Sequence, residues 1–112
     1  MTFSDIIQSV KQHPLQKLRA DTQDRFEVVV PTDQIKALSS TLEQFFGSAK
    51  KPAGAKASGE IADLVSDFGG ILRNQTLYYV ATDGFSNIAM IWPWSDGKNA
   101  TIKIFRLSYK NV

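Results

Sequence analysis

The chain has 112 residues, 43% of them apolar, with 13 Lys+Arg against 11 Asp+Glu and a net charge of +2. At 12.4 kDa it fits one domain, 1–112, able to close a core without staples. The lack of cysteine excludes disulfides, thiolate metal sites and a thiol nucleophile, and the single histidine excludes a His–His metal pair within the chain. A mean hydropathy of -0.17, without a long apolar run, argues against a membrane span. The opening MTFSDIIQSV lacks the basic start and apolar stretch of a secretory signal, so a cytoplasmic location is expected.

Phe3, Ile6, Ile7 and Val10 recur at the spacing of one buried helix face. Pro14 disfavours helical geometry at His13, so this helix should end near Gln12, with Ser4 as its expected N-cap. Residues 15–24 read either as a short strand and turn or as plain loop. If 15–20 is a strand, residues 21–24 turn it into a hairpin with the β-branched run at 26–30, which Pro31 stops. A helix is expected over 32–46, because Ile35, Leu38, Leu42, Phe45 and Phe46 share an arc of about 100°. Thr32 can cap it, and Gly47 suits the position just past its end.

The stretch SAKKPAGAKAS at 48–58 has no aromatic, β-branched or acidic residue and reads as a mobile loop carrying Lys50, Lys51 and Lys56. Ser58 then caps a helix expected over 59–68, or on to Asn74, with Ile61, Leu64, Val65, Phe68 and Leu72 on one face and Glu60, Asp63 and Asp67 on the other. Gly69 and Gly70 should stop or kink it. Residues 76–82, 87–92 and 100–107 read as a three-stranded antiparallel meander, turning at Asp83-Gly84 and Asp96-Gly97. Its strands are apolar on both sides: Ile88, Met90 and Trp92 alternate with Ala89 and Ile91, and Leu77, Tyr79 and Ala81 with Tyr78 and Val80. Both sheet faces therefore need cover.

The expected fold is α+β. A largely antiparallel four- to five-stranded sheet ends in the meander, with helices 32–46 and 59–68 on one face and a short N-terminal helix besides. The second face then needs that N-terminal helix, or a second subunit.

Trp92-Pro93-Trp94 is the most distinctive motif. Both indoles project to one side if the strand runs through them, and Pro93 suits a strand end. They read as a contact surface for a partner protein or ring-shaped ligand, or more plainly as packing at a strand end. A homodimer, or a protein partner, is expected to cover the open face or edge of the meander, with Trp92, Trp94, Phe105 and Tyr109 as candidate contacts. The alternative is nucleic-acid binding. Lys50, Lys51, Lys56, Lys103 and Arg106 would hold phosphates while Tyr78, Tyr79, Trp92 and Phe105 stack bases. No phosphate-loop pattern accompanies them.

The Glu60, Asp63 and Asp67 stripe is able to hold a hard cation, but reads more simply as a solvated face. An enzyme working with carboxylates is a third reading. His13, at a helix end, reads as a partner of the helix dipole. No catalytic residue, metal or cofactor is assigned, and the leading expectation is a small non-catalytic interaction or assembly domain.

Overall fold

The computed structural model of the chain describes residues 2–82 and 84–108. Helix α1 (Phe3–Lys11) is capped by Thr2, two residues before Ser4: Thr2 Oγ1 accepts from the Asp5 N–H at 3.1 Å, and the Asp5 carboxylate accepts from the Thr2 N–H at 2.8 Å. This reciprocal pair satisfies donors of the first turn that a serine already inside the helix cannot serve. Strands β1 (Lys17–Asp21) and β2 (Arg25–Pro31) form the hairpin that the sequence left open. A 3-10 turn, Thr32–Gln34, leads into α2 (Ile35–Phe46). Thr32 is therefore inside that turn and makes no side-chain cap, while Gly47 ends α2 at a φ of 76°.

Ser58 Oγ accepts from the Ile61 N–H at 3.3 Å and starts α3 (Gly59–Leu64). This helix is shorter than expected. The backbone leaves it at Val65, makes a 3-10 turn over Ser66–Phe68, and reverses at Gly69 with a φ of 99°. Strands β3 (Thr76–Thr82), β4 (Phe85–Pro93) and β5 (Asn99–Ser108) complete the chain. Among the described residues, no helix is long and apolar enough to cross a membrane.

The strands form one five-stranded sheet in the order β1-β2-β5-β4-β3, antiparallel throughout. The α+β architecture with a C-terminal meander is thus the one expected. The N-terminal hairpin joins the meander through β2 and β5, with Phe26 opposite Ile104 and Val28 opposite Ile102.

The helices divide between the faces differently from expectation. On the first face, α1 and α2 together cover Phe26, Val28, Val30, Tyr78, Ala89, Ile91, Ile102 and Ile104. On the second face, Val65 with Ile61, Leu64 and Ile71 packs on Leu77, Ile88, Met90 and Phe105. So α2 and the 59–68 segment sit on opposite faces, and α1 is the partner of α2. An apolar arc states that a helix must bury one side, not which face of a two-sided sheet receives it. Ile35, Phe45, Ile61, Leu64 and Tyr79 end up half-buried at the margins, whereas Phe46, Leu77, Tyr78, Ile91 and Phe105 join the core. The side chain of Phe68, also expected inside, lies outside the described ones.

The lysine-bearing stretch 48–58 is fastened to the sheet at Lys51. The Lys50 and Lys51 N–H groups donate to Leu77 O at 2.9 and 3.2 Å, and the Leu77 N–H returns to Lys51 O at 3.0 Å. Gly54 N–H donates to Arg73 O at 2.8 Å. One bridge of sheet pairing and the buried Lys51 side chain together supply the anchor.

Candidate functional site

The 58–72 segment covers the β3–β4 side of the second face and reaches Phe105 on β5. Along β1, β2 and β5 the alternation of strand residues brings Lys17, Arg25, Glu27, Val29, Thr101 and Lys103 to that same face. Trp92 and Trp94 lie beside them.

Trp94 is set by the β4–β5 connection. After the last rung, Pro93 opposite Ala100, the Trp94 N–H donates to Asn99 O at 2.9 Å, and the indole Nε1–H donates to Thr101 Oγ1 at 2.9 Å. The turn is tightened by Asp96, whose carboxylate accepts from the Lys98 and Asn99 N–H groups at 2.8 and 3.2 Å. Those bonds, Lys98 first, hold the Asp96 carboxyl below its ordinary pKa. Trp94 remains 37% exposed, with the Arg19 guanidinium 5.9 Å from its ring centre.

Trp92 is fixed differently. The Lys103 ammonium sits 3.4 Å above its ring, and a Cβ at Gly69 would come within 2.6 Å of Trp92 Cη2. Only a glycine lets the 3-10 turn pass so close at that backbone angle. Glu27 accepts from Arg25 at 3.2 Å and lies 4.0 Å from Lys103. Burial lowers the Lys103 pKa, and the Glu27 charge works against that shift. The Trp92 Nε1 atom is buried without a hydrogen-bond partner among the described residues. Arg25, Asp67, Gly69, Trp92, Lys103 and Phe105 enclose a cleft of about 390 Å³.

The expected site residues scatter accordingly. Trp92 and Trp94 share one side, as their spacing predicted, with Trp92 half-buried and Trp94 exposed. Phe105 is only 5% exposed beneath the 58–72 segment, which removes it from the surface expected to meet a partner. Tyr109 lies outside the described residues. Of the five expected phosphate-binding cations, Lys51 is 2% exposed and its ammonium donates to the carbonyls of Pro52, Arg73 and Gln75, so it is spent on the fold. Lys103 and Arg106 are on opposite faces, Arg106 pairing with Asp24 at 2.8 Å and lying over Phe85. Lys50 and Lys56 are exposed on the stretch along the far edge.

Tyr78 and Tyr79 are likewise split. Tyr78 is buried under α2, where burial raises its pKa, and its hydroxyl donates to Glu43 at 3.2 Å. His13 Nε2 meets Thr41 Oγ1 at 2.9 Å and ties the end of α1 to α2. Glu60, Asp63 and Asp67 form no cluster suited to a metal among the described residues. Arg19, Arg25 and Glu27 went unnoticed in the sequence, although the alternation of Arg25 and Glu27 with Phe26 and Val28 places them together.

No protein-family model, curated protein or solved structure matches the chain.

Proposed function

We propose that the chain is a non-catalytic protein-interaction domain that meets its partner with the strip around Trp94. The observation carrying this reading is the indole itself: held by Thr101, flanked by Arg19, and left 37% exposed, as the one aromatic among the large apolar side chains exposed in the described residues, the others being Leu18 and Leu72. Tryptophan and arginine concentrate binding energy at the centres of protein contacts, where a rigid side chain loses little freedom on binding. Lys17, Arg19, Arg25 and Lys103 outnumber Glu27 and Asp67 along the strip. Two copies face to face would oppose like charges, so the fitting partner is an acidic surface with an apolar recess for the indole rim. A polyanion is less well matched, because Glu27 stands among these cations and the remaining lysines lie elsewhere.

The test places a photo-activatable cross-linking residue at position 94 and, as control, at exposed Lys36 on α2. One partner protein should cross-link from 94 and not from 36. With that partner purified, Trp94→Ala and Arg25→Glu should each weaken binding by about tenfold or more. The reading fails if neither substitution matters. Sedimentation as a dimer that Trp94→Ala dissociates would give the strip to a second copy, and salt-sensitive binding of a labelled single-stranded RNA would give it to a polyanion.

A further inference from the structure

The two edges of the sheet are built differently. The β1 edge is interrupted by a bulge between Leu18 and Ala20 and carries Lys17 and Arg19, devices that keep a strand edge from pairing. The β3 edge, TLYYVAT, has no charge and no proline and is rich in β-branched and aromatic residues. Its odd-numbered residues turn their backbone groups outward, as the Leu77 bonds to Lys50 and Lys51 demonstrate. Beyond Leu77, the N–H and C=O of Tyr79 and Ala81 therefore face away from β4, without a partner among the described residues. Next to them, between α3 and β3, lies a cleft of about 420 Å³ walled by Ile61, Leu64, Leu77 and Tyr79 and lined also by Lys50 and Glu60.

We propose that an extended peptide segment of a partner protein adds to the sheet at Tyr79 and Ala81 and seats one large apolar side chain in this cleft. Backbone pairing supplies the attachment, and the alternate side chains supply selectivity. A residue placed opposite Tyr79 on an added strand projects to the same face as Tyr79, which is the face where the cleft lies.

A second copy of this chain fits poorly. Twofold pairing about Val80 puts Ala81 opposite Tyr79, and a methyl group leaves the cleft empty. The free edge also spans only about 13 Å, too little for the ~800 Å² per partner that a stable dimer buries. This edge is across the sheet from Trp94 and rests on separate observations, so the two surfaces are tested independently.

The experiment pans a displayed library of random nonapeptides against the purified protein. Enriched sequences should carry large apolar residues at alternate positions. Binding of the strongest as a synthetic peptide should slow exchange of the Tyr79 and Ala81 amide hydrogens. N-methylation of the peptide residue that pairs with Tyr79 should abolish binding. Ala81→Pro deletes an outward N–H without touching the β4 ladder, and Leu64→Arg puts a charge into the cleft. Each should cost about tenfold or more in affinity, while Trp94→Ala should leave it unchanged. If both variants fail to fold, the N-methyl peptide and the amide exchange still decide. The proposal is overturned if no peptide is enriched, or if bound peptides leave those two amides unprotected. Protection of the same amides by self-association without peptide overturns it as well.

Discussion

Lys51→Met removes the ammonium at the centre of the 48–58 anchor and keeps most of the side chain's volume. Nζ donates to Pro52 O at 3.1 Å, to Arg73 O at 2.8 Å and to Gln75 O. Charged hydrogen bonds of this kind contribute about 1.5–3 kcal/mol each, but dehydration of the ammonium offsets much of the gain. That cost is visible in the lowered pKa of Lys51, caused first by burial and then by the Arg73 charge. Pro52 and Arg73 are exposed, so water replaces the lost donor at their carbonyls, whereas Gln75 is 7% exposed and keeps an orphaned acceptor. The expected loss is about 2–3 kcal/mol. With an unfolding entropy of about 2.1 cal/mol/K per residue, this lowers Tm by roughly 9–13 °C. Urea denaturation followed by tryptophan fluorescence, with a thermal melt by circular dichroism, measures both. Lys56→Met, on the exposed part of the same stretch, should change stability by no more than about 0.5 kcal/mol. Equal stability of the two variants would refute the reasoning.

Gly69→Ala should destabilise the chain by about 2–3 kcal/mol, because a positive φ and the Trp92 ring both oppose the new methyl. At Gly70, where φ is 71° and the space is open, alanine should cost only about 1 kcal/mol, and paired urea curves separate the two. Thr2→Ala breaks the reciprocal cap of α1 and should cost about 1 kcal/mol in the same assay. Asp96 binds fewer protons in the folded chain than in the unfolded one, its carboxyl being held below the ordinary 3.8. Its contribution is therefore present above pH 3.8 and lost as pH falls through the folded value. Asp96→Ala should lower the urea midpoint at pH 7, with the gap to the parent narrowing as pH falls below 3.8.

The helices and strands other than β1 were legible because each carries an apolar arc or run, whereas KLRAD in β1 carries none; the Asp96-Gly97 turn was legible because its chemistry is local. The pairing of α1 with α2 was not legible. Phe3, Ile6, Ile7 and Val10 and the arc of α2 each announce a buried side, and the sheet offers two faces that both accept one. Lys51 was read as a solvated cation because its acceptors come from Arg73 and Gln75, far along the chain, and no local pattern marks a carbonyl cradle. The division of Lys103 from Arg106, and of Tyr78 from Tyr79, was present in the simple alternation of strand residues. Grouping aromatic and basic residues by proximity in sequence concealed it.

The strand order has a consequence for synthesis. β5 lies between β2 and β4, so each hairpin meets the other only through a strand that is made last of the five. As the chain leaves the ribosome, the inner edge of β2, with its Val28-Val29-Val30 run, waits unpaired from the appearance of Pro31 until Asn99 and its successors arrive. An uncovered β-branched edge held open for several seconds is a site where nascent chains associate. Slower elongation lengthens that exposure, so the yield of folded protein should rise with conditions that shorten the gap between β2 and β5, or with a chaperone that shields β2 meanwhile.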